Sequence, residues 1–440
     1  MAYGGWSHVG GQRARPRHPS APGPAPTLEM SILHLFGGYG VELEYMLVDR
    51  RSLAVAPVCD RVLEAEAGEP TTEVERGPIA WSNELAAHVI ELKTNGPTSR
   101  LDIDKARDFT RDLRRVEELA AEHGARVLPT AMHPLMDPSR DTRLWAHEGN
   151  PIYSAYDRIF GCQGHGWSNL QSCHLNLPFS GDEEFRRLHS AIRPVLALLP
   201  SLAASSPIVE GQPSGALDTR LRVYAENQRR LPSIIGEVIP EPIPTAQDYE
   251  ERILQPMYRE IAPHDPEGML QHEWLNSRGA IARFERNAIE IRLLDVQETP
   301  VADLAICRLV VEAVRALASE HWVSLTELDR LSSTMLRGVL GTTIEQAEHA
   351  VVTSEPLLRA LGYEDHQATA EEIWTHLAES LLLDTMPEQG LRGALVTILG
   401  RGTLATRIMR AVGRRPAPER IVEVYSALGD CALEGQLFLP

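Results

Sequence analysis

The sequence predicts an α+β fold with a helical C-terminal part. Segments with apolar residues at every second position recur up to about residue 295, interleaved with stretches of helical spacing. Beyond residue 299 the pattern is helical. A third observation bears on chemistry: the polar faces of several predicted strands carry acids.

The first strand covers residues 40–48, GVELEYMLV. Strand side chains alternate, so Val41, Leu43 and Tyr45 share one face, and Glu42 and Glu44 share the other about 7 Å apart. A wet sheet face tolerates such a pair. Away from water it calls for a bound cation or a cationic partner. Residues 58–66 form a short amphipathic segment, and Pro, Thr and Gly signal turns from there to Pro78. Residues 88–92 read as strand. Glu84 and Glu91 lie seven apart, so on one continuous strand they would face opposite ways, and convergence requires a bulge or turn.

Leu101, Ile103, Ala106, Phe109, Leu113, Val116 and Leu119 have helical spacing, stopped by Gly124. Residues 126–130 read as strand. Residues 137–169 are predicted to be loop, with Gly161, Gly164 and Gly166 near its end but no phosphate-loop pattern. Residues 170–177 are a strand with His174 and Asn176 on one face. A helix spans 183–203, kinked at Pro194. Residues 205–215 are turn-rich, Arg220 and Arg222 follow, and prolines mark a connection at 240–244. A final strand segment ends at Asp295, with Glu290 and Arg292 facing together. Thr299 and Pro300 open a helix as N-cap and first residue. Ser324 and Glu327 form a capping box for the next.

Composition narrows the function. A formal charge of −18 argues against binding nucleic acid or anionic membrane. No run of about 18 apolar residues predicts a membrane span. The 43% hydrophobic content supports a sizeable core. Five scattered cysteines without zinc spacing suggest free thiols in a reducing cytoplasm. Residues 1–30, rich in Pro, Gly and Arg, read as a disordered tail. A catalytic domain is expected at 31–325 and a helical region at 326–440.

Four polar strand faces thus carry Glu42/Glu44, Glu84/Glu91, His174/Asn176 and Glu290/Arg292. Oxygen ligands with one imidazole suit Mg²⁺ or Mn²⁺. Arg220, Arg222, Arg283 and Arg292 add forked anion binding. Cations and arginines together point to phosphoryl transfer from a nucleotide.

The motifs GVELEYMLVD, ELKTN, CHLN, SSPIVEG with DTRLRVY, and NAIEIRLLD occur in order within residues 36–320. They resemble the glutamate–cysteine ligase type 2 and carboxylate–amine ligase family, of the glutamine synthetase-like superfamily. The resemblance implies a curved, mainly antiparallel sheet with helices on its outer face and the two acidic end strands as neighbours. It implies one Mg²⁺ held by Glu44, Glu84 and Glu91, and another on the ATP phosphates held by Glu42, His174 and Glu290. Arg292, Arg283 and Arg222 would act on the transferred phosphate, with Arg220 and Asn176 on the ATP side. The implied reaction activates the side-chain carboxylate of glutamate, or a similar acid, as an acyl phosphate and joins it to an amine such as cysteine. The expected partners are small molecules, and a homo-oligomer is left open. Two departures are visible: Asn176 stands where many members have a second histidine, and Val209-Glu210-Gly211 lacks the usual Trp. A metal-dependent amidohydrolase and a non-catalytic nucleotide- or amino-acid-binding protein are the alternatives.

Overall fold

The computed structural model describes residues 32–387 and 390–440. The tail expected at 1–30 lies outside them. The strands of the main sheet are β1 (Gly40–Asp49), β2 (Glu73–Arg76), β3 (Ile79–Asn83), β4 (Val89–Thr94), β5 (Ala125–Leu128) and β6 (Ser172–Pro178). A two-residue pair, β7 (Ile208–Val209) and β8 (Gln212–Pro213), stands apart, and β9 (Ala280–Arg283) and β10 (Ala288–Asp295) complete the sheet. The order is β2-β3-β4-β1-β6-β10-β9, and every ladder is antiparallel. β5 pairs the second half of β1, beyond the stretch that β6 pairs.

The two faces differ as the alternation predicts. Val41, Leu43 and Tyr45 are fully buried in the main core. Helices Ile103–Glu122, Gly181–Leu196 and Pro300–Ala318 pack over that side. Asp102 caps the first of them by accepting from the Lys105 amide, and Gly124 beyond its end is left-handed. The core continues into the C-terminal helices, where Trp374 is buried and its indole donates to the Leu198 carbonyl. Among the described residues no helix is long and apolar enough to cross a membrane.

Four expectations change. The stretch before Pro78 holds a strand, β2, which pairs with β3. Residues 137–169 contain the helix Asn150–Phe160 between two single turns, Pro138–Asp141 and His165–Ser168. The acidic end strands β1 and β10 are not paired with each other. β6 lies between them and pairs with both. Thr299 sits at the N-cap position, but its hydroxyl caps nothing among the described residues.

Candidate active site

The outward face of β1, β4, β6 and β10 gathers the acids. Antiparallel register sets Glu44 opposite Glu91, Glu42 opposite both Lys93 and His174, and Glu290 opposite Asn176. Glu84 directly follows β3, and the turn from there to β4 lets it meet Glu91 despite the odd spacing. Carboxylate oxygens of Glu44, Glu84 and Glu91 lie within 4.8 Å of one another. Glu42, Glu91 and His174 form a second such group. Glu91 therefore belongs to both.

Hydrogen bonds fix the ring and its neighbours. His174 Nδ1 lies 3.1 Å from Glu42 Oε2, and its Nε2 lies 2.9 Å from the Ser172 hydroxyl. Glu44 Oε2 accepts from the Ser172 amide at 2.7 Å and from its hydroxyl at 3.0 Å. Asn176 donates to Glu42 Oε1 at 3.0 Å. A Cβ at Gly40 would come 3.0 Å from that of Asn176, so glycine opens β1 to this amide.

At the other end, Arg292 donates to Glu290 Oε1 at 2.6 Å, and Arg283 to Oε2 at 3.3 Å. The ladder between β10 and β6 shifts register between Ile291 and Leu294, an irregularity of the kind that re-aims side chains beside functional sites. The expected third ligand of the second metal group is thus taken up by two arginines. Its carboxylate is nonetheless 3.7 Å from His174 Nδ1.

Charge is crowded here. Burial, with the charges of Glu42 and Glu84, pushes Glu91 up to about 8 against the pull of Lys93. Burial also raises Glu84. Glu42 is raised by burial but lowered more by the hydrogen bond and charge of His174, and ends below the usual carboxylate range. Burial works to raise Glu290, yet the charges of Arg292, His174 and Arg283 hold it well below that range. Burial lowers His174, and Glu42, Glu44 and Glu290 more than restore it. The donor set, several carboxylates and one imidazole, fits a hard divalent cation. Glu91 Oε2 is buried with no hydrogen-bond partner among the described residues, as a ligand atom awaiting a cation would be.

The remaining arginines are divided. Arg220 lies against the cleft, but its Nε donates to Asp295, and its other nitrogens lie 3.3 and 3.4 Å from the Arg292 carbonyl. Arg222 is a correction. It shares the helix Thr219–Tyr224 with Arg220, and on a helix residues two apart point to different sides. Arg222 is exposed and donates to the Ser214 carbonyl, away from the cluster.

Sequence reasoning passed over two parts of the site. Lys93 sits 3.5 Å from both Glu91 and Glu73 and donates to Ser82. Its position two residues after Glu91 on a strand already signalled a shared face. The second part is the wall across the cleft from the sheet. Tyr153 and Tyr156 come from the helix Asn150–Phe160, and Trp167 and Leu170 follow it.

The sequence model described as glutamate–cysteine ligase family 2 matches residues 39–422. An uncharacterised protein of Archaeoglobus fulgidus is 37% identical over 301 residues, covering 68% of this chain and 80% of that one. A glutamate–cysteine ligase of Halobacterium salinarum is 25% identical over 292 residues, 65% of this chain and 70% of that one. Among solved structures, the glutamate–cysteine ligase of Francisella tularensis, in complex with AMP, has a TM-score of 0.58 at 14% identity and covers 91% of this chain and 89% of that one. A bifunctional glutathione synthetase of Pasteurella multocida has a TM-score of 0.52 at 15% identity, covering 89% of this chain and 52% of that one. At such identity the structural likeness speaks for the fold.

Proposed function

The chain belongs to glutamate–cysteine ligase family 2, and from that premise we propose that it is an ATP-dependent carboxylate–amine ligase using Mg²⁺ or Mn²⁺. The observation that carries the reading is the convergence of Glu42, Glu44, Glu84, Glu91 and His174 on one sheet face, with Arg292 and Arg283 beside them. The glutamate and cysteine of the family's name are the reference substrates.

In this reading an oxygen of the acid's carboxylate attacks the γ-phosphorus of ATP. The bond from that phosphorus to the bridging oxygen breaks, giving ADP and an acyl phosphate. The amine nitrogen then attacks the acyl carbon, phosphate leaves, and the nitrogen loses a proton. When bound, the divalent ions supply charge neutralisation for the polyphosphate and the acid. Glu44, Glu84 and Glu91 would hold the one near the acid. Glu42, Glu91 and His174 would hold the one near the phosphates. Ser172 orients Glu44 and the imidazole together. The guanidiniums of Arg292 and Arg283 stabilise charge on the moving phosphoryl group, and Glu290 fixes their direction. No protein nucleophile takes part.

Hydroxylamine tests the acyl phosphate. Protein supplied with ATP, Mg²⁺, a panel of carboxylic acids and hydroxylamine yields a hydroxamate and ADP in equal amounts. ADP without hydroxamate overturns the reading. So does metal-dependent amide hydrolysis in the absence of ATP, which is the amidohydrolase outcome.

A further inference from the structure

The cleft beside the acidic face has two unlike walls. Its charged lining residues, Glu44, Glu84, His174, Arg220 and Arg292, belong to the sheet side or to the helix Thr219–Tyr224. The facing wall is built by Tyr153, Tyr156, Trp167 and Leu170, while Leu85 and Val89, before and at the start of β4, add apolar surface on the sheet side. Among the described residues no formal charge lies on it.

The rings of this wall form a packed set. Tyr156 and Trp167 have centroids 5.2 Å apart, and Phe160 stacks on Trp167 at 5.3 Å. Trp274 lies 6.2 Å from Tyr156. Backbone features hold the set in position. Gly161, with φ 74°, closes the helix that carries the tyrosines. The Asn227 amide donates to the Gly166 carbonyl, and a Cβ at 166 would collide with that side chain. A preformed aromatic surface with a few polar groups at one end is the build of a site for a flat apolar group with one polar head.

An acid whose carboxylate reacts at the Glu44–Glu84 end projects the rest of its atoms toward this wall. In an amino-acid substrate those atoms carry an ammonium and a second carboxylate. Each is costly to desolvate unless paired. Among the described residues the wall presents the Tyr153 hydroxyl, which accepts from Asn83, and no charged side chain.

We infer that the acid activated here is a monocarboxylate with an aromatic body, an arylcarboxylic or arylalkanoic acid, whose ring lies against Tyr156 and Trp167. The inference rests on the ligase reading of the site. The metal groups and the arginines serve the reacting carboxylate. The aromatic wall sets which acid reaches them.

Calorimetric titration of the full-length protein in Mg²⁺ with phenylacetate, cinnamate and glutamate, followed by ADP release with the same acids, tests this. The aryl acids bind at least about tenfold more tightly than glutamate. Trp167→Ala weakens their binding about tenfold or more. Trp167→Phe, which keeps a ring and guards against a folding defect, retains most of it. Tighter binding of glutamate, or aryl affinity unchanged in Trp167→Ala, overturns the inference. Glutamate-dependent ADP release without aryl binding removes it and leaves the ligase reading standing. Aryl binding with no ATP-dependent turnover of any acid keeps the ligand class and removes the ligase reading.

Discussion

Glu91→Gln tests the sharing of one carboxylate between two cation groups. Glu91 lies within 4.8 Å of oxygens on Glu42, Glu44 and Glu84. At an effective dielectric of 20, each such pair repels by about 3 kcal/mol, so three sum to about 10. Lys93 at 3.5 Å returns about 5 kcal/mol. Protonation caps the remainder. Taking up a proton at pH 7.5 costs a carboxylate of ordinary pKa about 4 kcal/mol. The metal-free wild type therefore carries a strain of up to about 4 kcal/mol that an uncharged glutamine removes. Glutamine keeps an acceptor for the Ser82 hydroxyl, which sits 2.8 Å from Glu91 Oε1. In a thermal melt with EDTA, Glu91→Gln should melt a few degrees above wild type. With Mg²⁺ or Mn²⁺ added, wild type should rise and the variant should not. A variant less stable in EDTA that still rises with Mg²⁺ refutes the reasoning.

The two acids of β1 should separate kinetically: Glu42→Ala chiefly raises KM for metal–ATP, Glu44→Ala chiefly raises KM for the acid, and identical defects in both count against the division. Arg407 forms a fully buried ion pair with Glu298 and also donates to the Phe438 carbonyl, tying the chain end to the segment after β10. Arg407→Met leaves a buried carboxylate unpaired and should cost about 3–5 kcal/mol in urea unfolding, with the midpoint lowered. Burial holds His189 neutral down to about 3, with Arg193 and Arg278 pushing the same way and Glu241 and Asp329 opposing. The unfolded chain protonates this imidazole near 6.5, so its contribution to stability falls as pH drops from there toward about 3. His189→Phe should flatten that acid limb by about 1.4 kcal/mol per pH unit, read from urea midpoints between pH 6.5 and 4.5.

Much of the sheet was legible because a two-residue period makes burial and chemistry alternate in the sequence. Val41, Leu43 and Tyr45 went inside, and Glu42 and Glu44 stayed on the polar face, as that period demands. The turn between Glu84 and Glu91 was required by their odd spacing and is present. Where local signals conflicted, reading failed. β2 is four residues long and follows Pro70-Thr71-Thr72, which signal a turn. The helix Asn150–Phe160 is bounded by Gly149 and Gly161 and begins with Asn150-Pro151, so breakers masked the spacing of Tyr153, Tyr156 and Phe160. Arg220 and Arg222 share a face only on a strand, and the chain there is helical. That Glu290 spends its charge on Arg292 and Arg283, while Glu91 is common to both side-chain groups, follows from long-range register that no local pattern encodes.

The central claim is that this sheet face transfers a phosphoryl group to a carboxylate. The most direct measurement uses an acid labelled with heavy oxygen in its carboxyl group, turned over with Mg²⁺-ATP and an amine. The account predicts one labelled oxygen in each inorganic phosphate released, with amide formed in equal amount. Phosphate that carries no label from the acid, its new oxygen coming from water, would contradict it.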